Sequence, residues 1–449
     1  MILVVTLDPL HVVVVLIIFL LTYIGIINPK FDKTLAALLG AVAATIVLIF
    51  LRIPDSHAST GYVSEQSLLH FTDASIIALI IGTLIIVDIA QSSGVFHFLA
   101  IKILKASKGD PQNLLIYFGA LTLILSALVN NISAMMIVGS LTILACERLD
   151  LDPKPYIITE LSMTTAGGIM TLISSVPNII ISQPFEIDFV TFLIIGAPLG
   201  ILTMVISFVI FIPMFNIRRA KDPEVMRLKV EEFDEWSAVK SRTAFNRSII
   251  VLSITILGFV FSQQLGVSLA MVAVAGAVIM IVTSGKKLEY IFEKLDWHLV
   301  AFFLGLFILI NALDIVHILD FIAEALAAIL PEDDFFAATI LLWFISVISG
   351  IVDNIVVAAA FGPILLDVAI TEGYSQALFA WAAIFGANFG GGITPIGAPS
   401  AVVGLAILYR KTGEKIGWGE FIKTQGLATV ARLVITTVYL GILFSLGFF

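Results

Sequence analysis

Charge and cysteine are both scarce in this sequence. Only 13% of the 449 residues are charged and one is a cysteine, Cys146. A single cysteine excludes an intrachain disulfide and gives no clue to redox compartment. Histidine is also sparse: His11, His57, His70, His97, His298 and His317 are dispersed and lack metal-ligand spacing, so no metal site is expected. There is no Gly-x-x-x-x-Gly-Lys-Ser/Thr phosphate loop, which argues against direct ATP coupling within the chain. No basic groove or RNA-binding signature points to nucleic acid. Nothing in these absences suggests an enzyme, and no cofactor is expected beyond a coupling ion, H+ or Na+.

What is present is apolar. A hydrophobic fraction of 59% and a mean hydropathy of +1.10 exclude an ordinary soluble domain and predict one polytopic, all-α membrane protein. Crossings are expected near His11–Ile27, Thr34–Leu51, Ala74–Gln91, Tyr156–Ser182, Phe189–Phe215, Arg247–Ser262, Val267–Thr283, Trp297–Leu313, Tyr374–Tyr409 and Phe421–Leu446. Each is long enough for roughly 30 Å of hydrocarbon. Residues 1–28 lack a basic n-region and a small-residue cleavage site, which predicts a retained first helix rather than a signal peptide.

The basic residues test this map independently. With both termini outside, the inner side receives all but two of the 24 lysines and arginines, including the run from Arg218 to Arg247. Arg52 falls outside, and Arg432 lies within the last span, where it is expected to snorkel to the inner face. Glu186, Asp188, Glu332, Asp333 and Asp334 fall on the outer face and account for much of the net charge of −9. Such one-sidedness follows the positive-inside rule and places the protein in the cell membrane with both termini outside.

The chain also repeats itself. From Phe71 to Ala401, residues 223 positions apart match without a gap: Asp73 with Asp296, Gly82 with Gly305, Ser126 with Ser349 and Asn131 with Asn354. Gly139 matches Gly362, Gly167-Gly168 matches Gly390-Gly391, Thr171 matches Thr394 and Ile173 matches Ile396. Chance similarity of apolar helices explains aliphatic matches but not the register of the Asn, Thr and Gly-Gly pairs. A charged stretch, 217–246, reads as a solvated cytoplasmic linker between a first half (1–216) and a second (247–449). Each half holds five crossings, so the second enters the membrane upside down. The expected fold is two inverted repeats of five transmembrane helices, each with a re-entrant hairpin and a broken helix. Short amphipathic pieces, Val95–Ala106 and Ile315–Leu330, precede the hairpins and suit the interface plane.

The polar residues interrupt apolar helices at matching places. The hairpins Asn113–Glu147 and Phe335–Ile370 carry Asn130-Asn131-Ile132-Ser133 and Asp353-Asn354-Ile355 at their centres. A break in lipid is tolerable only where it faces protein or water. Asn and Asp suit it because they cap the next helix, whose N–H groups carry partial positive charge. Both stretches therefore read as re-entrant, with tips near the membrane centre; two full crossings with a tight turn would give the same charge count. The broken helices follow: Thr164-Thr165-Ala-Gly167-Gly168-Ile-Met-Thr171-Leu-Ile-Ser174-Ser175-Val-Pro177-Asn178, and Asn388-Phe-Gly390-Gly391-Gly392-Ile-Thr394-Pro395-Ile-Gly397-Ala-Pro399-Ser400. Glycine and proline unwind the chain and free carbonyls and hydroxyls for a small solute. Two corresponding interruptions point to a transporter site at the repeat interface.

The candidate contacts are thus Asn130, Asn131, Ser133, Thr165, Gly167, Gly168, Thr171, Ser174, Ser175 and Asn178 in the first half. In the second they are Asp353, Asn354, Asn388, Gly391, Gly392, Thr394, Pro395, Gly397 and Ser400. Asp353 breaks the symmetry, its counterpart being Asn130, and an ionisable group in a membrane is a site by default. It is the candidate coupling-ion residue. Asp88, Glu160 and Asp314 are further buried acids.

At these residues the chain resembles the arsenite-permease and NhaD-type part of the ion transporter superfamily, with a citrate-transporter-like domain. The resemblance is carried by Gly391-Gly392-Ile-Thr394-Pro395-Ile-Gly397, by Gly413-Glu-Lys415-Ile-Gly-Trp418-Gly419 and by Thr171-Leu-Ile-Ser-Ser-Val-Pro177-Asn178. It implies an inverted-repeat, ion-coupled secondary transporter, expected to be a homodimer working by alternating access. The tips depart from the Ser-Asn-Thr of related dicarboxylate carriers. A carboxylate at one tip, with no lysine or arginine near the midplane, argues against a citrate-like polyanion. Arsenic held by thiolates needs several cysteines, so a metalloid would be carried as its neutral hydroxide. The expected activity is exchange of a small inorganic solute, arsenite first, for protons. Sodium/proton antiport is the alternative, ahead of dicarboxylate transport or an uncoupled channel.

Overall fold

The computed structural model of the chain describes residues 9–28, 31–53, 62–63 and 74–449. Asp73, Lys30, His57 and His70 lie outside them. Twenty helices and no strand occur among the described residues. The first half holds α1 (Pro9–Ile27), α2 (Lys33–Phe50), α3 (Ala74–Ser92), α4 (Val95–Ala106), α5 (Pro111–Leu128), α6 (Asn131–Leu149), α7 (Lys154–Gly167), α8 (Val176–Ser182) and α9 (Phe189–Met214). A short α10 (Pro223–Glu231) follows. The second half holds α11 (Arg242–Val260), α12 (Leu269–Ser284), α13 (Leu288–Lys294), α14 (Trp297–Ile315), α15 (Ile318–Ala327), α16 (Asp334–Ile351), α17 (Asn354–Glu372), α18 (Gln376–Gly391), α19 (Pro399–Thr412) and α20 (Trp418–Ser445).

Eleven of these are long and apolar enough to cross a membrane. They include both arms of each hairpin (α5 with α6, α16 with α17), at 18 or 19 residues per arm. Such arms are about 27 Å long, so the tips lie far from the loops where the hairpins begin. The segments expected at Tyr156–Ser182 and Tyr374–Tyr409 are each split, into α7 with α8 and α18 with α19. Polar caps fix many starts: Asp110 accepts from the Gln112 and Asn113 N–H groups, Asp333 from Phe336 and Ser375 from Leu378.

The helix starts keep the sequence spacing. Those at 74 and 297, 95 and 318, 111 and 334, 131 and 354, and 176 and 399 are each 223 apart, the difference in every pair. Two groups emerge from the packing. The frame comprises α1, α2, α3, α11, α12 and α14, in which α3 packs on α12 and α2 on α14, so each half supplies a partner to the other. The second group holds the hairpins, the broken helices, α9 and α20. In it α16 packs on α18 and α5 on α7, while α19 reaches across to α6 and α8 to α17. The amphipathic α4 and α15 touch both groups, and direct contact between the groups is confined to a few helix pairs such as α14 with α17 and α3 with α8.

Glycine sets the closest of these contacts. A Cβ on Gly167 would fall 2.4 Å from the Leu123 carbonyl oxygen, and one on Gly390 2.2 Å from that of Ser346. Neither distance is compatible with a side chain, which is why the paired Gly-Gly sequences sit at the ends of α7 and α18.

One expectation is corrected. Arg432 does not snorkel: it is fully buried and its Nη2 donates to the Ser162 carbonyl and the Ser207 hydroxyl, both at 3.1 Å. It lies 14 residues into α20, some 21 Å along the axis, beyond the reach of an arginine to either end. The 217–246 stretch makes several contacts with the first half. Lys229 pairs with Asp150 at 2.6 Å, Lys105 with Glu235 at 2.5 Å, and the Ala220 N–H donates to Asp110 at 2.9 Å. Trp236 packs on Phe98 of α4, with ring centroids 4.6 Å apart.

Candidate functional site

The hairpin tips and the two helix breaks converge. Asn130 ends its hairpin turn by accepting from the Ser133 N–H at 2.7 Å, and Asp353 does the same for Ile355 at 3.0 Å. Each hairpin is then tied to its broken helix by matching bonds. Ser126 Oγ donates to the Thr164 carbonyl at 2.8 Å, and Ser349 Oγ to that of Ala387 at 2.6 Å. Thr171 Oγ1 donates to the Ala127 carbonyl at 2.6 Å, and Thr394 Oγ1 to that of Gly350 at 2.7 Å. Both pairs keep the sequence spacing at donor and at acceptor. Buried hydroxyls thus find backbone acceptors across the hairpin–break contact.

The two breaks also meet each other. Asn178 Nδ2 donates to the carbonyls of Gly168 (2.7 Å) and Thr171 (2.9 Å), holding the first break closed on itself. Its Oδ1 accepts from Asn388 Nδ2 at 2.8 Å, and Asn388 also donates to the Ile384 carbonyl. One amide pair therefore links the halves at the centre of the second group. Ser174 Oγ is turned inward to the Gly168 and Thr171 carbonyls.

A cavity of about 440 Å³ opens where this group faces the frame. From the second group, Asn130, Asn131, Ser133, Ser174, Ser175, Asn354 and Ser400 line it. Thr165, Gly167, Gly168, Thr171, Asn178, Asn388, Gly391, Gly392, Thr394, Pro395 and Gly397 do not. Asp353 is outside it as well. Its carboxylate turns to the frame and meets Lys33 Nζ at 3.1 Å, the one ion pair between frame and hairpins among the described residues.

The frame and the short α13 beside it supply the residues that sequence reasoning left out of the site: Thr83, Asp88, Gln91, Thr255, Lys294 and Asp296. Every charged side chain of the wall is on this side, whereas the hairpin side offers only amides, hydroxyls and apolar groups. A polar residue within an uninterrupted helix gives little local signal; the acid at position 88 was the available clue. Among the described residues no group of three or more His, Cys, Asp or Glu is placed to hold a metal ion.

The citrate transporter family model matches residues 14–386. The chain belongs to this family of secondary transporters. It is a multi-pass membrane protein of the ion transporter superfamily. An uncharacterized transporter of Mycobacterium bovis is 28% identical over 433 residues, covering 95% of this chain and 97% of its own. Two solved structures share the fold, each with a TM-score of 0.59. The YdaH transporter of Alcanivorax borkumensis, 15% identical, covers 92% of this chain and 98% of its own. MtrF of Neisseria gonorrhoeae, from a class of antimetabolite efflux pumps, is 13% identical and covers 97% of this chain and 95% of its own.

Proposed function

We propose that this family member is an ion-coupled carrier for a small inorganic solute, working in the cell membrane by alternating access between two repeats of opposite orientation. The observation that supports this best is the division of the cavity wall. The hairpin side presents uncharged amides and hydroxyls (Asn130, Asn131, Ser133, Asn354, Ser400), which suit a neutral hydroxide held by hydrogen bonds. Lys294 is the one basic residue described in the wall, against Asp88 and Asp296. A wall of that balance repels a citrate-like trianion, so family membership does not carry the substrate with it. An arsenite-type hydroxide leaving in exchange for protons is the first candidate.

Sodium/proton antiport is the second reading, favoured by the carboxylates of Asp88 and Asp296 in the wall. In either reading Asp353 holds the coupling ion at the hairpin tip, with Lys33 as its counter-charge when the ion is absent. The test is proton flux in proteoliposomes carrying a pH dye, challenged in turn with sodium, lithium and arsenite. A response to arsenite alone supports metalloid/proton exchange, and a response to sodium or lithium alone makes the protein an antiporter. Asp353→Asn is expected to abolish either response while inserting normally. A fully coupled Asp353→Asn protein would remove Asp353 from the mechanism.

A further inference from the structure

The 223-residue spacing has a consequence for the acids. It sets Asp88 opposite Asn311 and Asn130 opposite Asp353. Acid and amide therefore trade places: one copy has its acid on the frame and its amide at the hairpin tip, the other the reverse. Of these two acids Asp88 lines the cavity and Asp353 does not.

Asp88 lies near the end of α3 and shares the cavity wall with the first hairpin tip. Its Oδ2 is buried and has no hydrogen-bond partner. The polar and charged groups around it make their bonds to other atoms. Lys286 donates to the Ser92 hydroxyl, one turn further along α3. Lys294 shares the wall but forms no ion pair with Asp88 within 4.0 Å. Thr83 gives its hydroxyl to the Leu79 and Ile80 carbonyls, and Asp296 caps α14 by accepting from the Leu299 N–H. A carboxylate with an open acceptor in a half-dry cavity is costly unless something positive reaches it.

We propose that Asp88 is a second binding residue for the coupling monovalent cation, a proton or a sodium ion, presented to the cavity by the frame. The assignment rests on the carrier reading of this cavity. A proton would bond directly to Oδ2 and turn the unfilled acceptor into a donor. A sodium ion would share the Asp88 oxygens with the amide oxygens of the hairpin tip. With Asp353 on the moving hairpin and Asp88 on the frame, the cation has a carboxylate on each side of the sliding interface. The facing lysines, Lys286 and Lys294, would keep Asp88 from holding the cation too tightly to release it.

Infrared difference spectroscopy on the purified protein, between acid and alkaline buffer and with sodium or potassium, reads carboxyl protonation without any transported solute. Wild type is expected to show a protonated-carboxyl band; sodium removes it if sodium competes for the site, and leaves it unchanged if the proton alone binds. Asp88→Asn should lose that component, and Asp88→Glu should return it at a shifted position with unchanged thermal unfolding. In proteoliposomes, coupled proton flux of Asp88→Asn should be largely lost. An Asp88→Asn spectrum that coincides with wild type overturns the assignment, as does full coupling in that variant. Failure of arsenite to move protons in wild type, with the Asp88 band intact, strikes the substrate reading and leaves Asp88 in place.

Discussion

Replacing Lys33 by Gln removes the ion pair that ties the frame to the second hairpin. The Nζ–Oδ2 distance is 3.1 Å, and two unit charges at that separation attract by about 5 kcal/mol at an effective dielectric constant of 20. Lys33 is 39% exposed and Asp353 12%. Solvent screening and the ordering of a long lysine cancel most of the attraction, leaving about 1–2 kcal/mol. That corresponds to a factor of roughly 5–30 in a two-state equilibrium. Because the pair spans two groups that otherwise touch at few places, its loss should depopulate this arrangement rather than unfold either group. A cysteine at position 133, in a Cys146→Ala background, reports the arrangement through its labelling rate with a charged methanethiosulfonate in proteoliposomes. Lys33→Gln should slow labelling, by up to about that factor, and Asp353→Asn should act in the same direction. Labelling at the wild-type rate in both variants would mean that the pair carries no orientational energy.

Two further outcomes follow from packing and charge. Gly390→Ala places a methyl 2.2 Å from the Ser346 carbonyl oxygen, an overlap that should cost about 1–3 kcal/mol and outweigh the helix-propensity gain of about 1 kcal/mol. Gly426→Ala, whose nearest neighbour would be Ile422 at 3.8 Å, should show the gain alone. Thermal unfolding followed by size-exclusion chromatography separates the two, and a Gly390 variant as stable as the Gly426 variant contradicts the close-contact argument. The Lys105 hydrogen bond holds the Glu235 carboxyl below its ordinary value of 4.5. A carboxyl so depressed keeps its contact above that value and loses it as the pH falls through the lower, folded one. Protease cleavage within 217–246 should therefore rise below about pH 4.5, and Lys105→Gln should bring the same susceptibility to neutral pH; a linker equally resistant in that variant is anchored by something else.

The parts of the fold that could be read from the sequence are those where apolar monotony is broken. Asn130 and Asp353 announce hairpin tips because each must cap a helix that starts inside an apolar run. The Gly-Gly and Pro residues announce breaks because they cannot continue one. What such residues do once folded was less legible. Thr171, Thr394 and Asn178 carry hydroxyls and an amide that look free for a solute, yet in the folded chain the two threonines donate to carbonyls at the ends of the hairpin arms and Asn178 closes the carbonyls of its own break. A polar residue beside an unwound segment has two possible partners, the solute and the neighbouring backbone, and local sequence does not rank them. The frame wall was hidden for the opposite reason: Thr83, Gln91 and Thr255 sit in unbroken helices where only long-range packing turns them towards the cavity. Arg432 misled because position along a helix, not sequence, decides whether a guanidinium can reach water.

A duplicated scaffold constrains its chemistry less than its mechanics. The matched features are mechanical: Gly167 and Gly390 press on a neighbouring carbonyl, Ser126 and Ser349 bind the broken helix, and Thr171 and Thr394 bind the hairpin end. The features that differ are chemical. Acid replaces amide between positions 130 and 353, amide replaces acid between 88 and 311, and Asn178 and Asn388 have Ala401 and Thr165 as counterparts. Backbone contacts of the first kind must survive in both copies, because each copy folds by them. Side chains of the second kind are free to diverge, since only one copy needs to meet a given ion from a given side. Two solved structures can share the architecture at 13–15% identity without fixing what this chain carries.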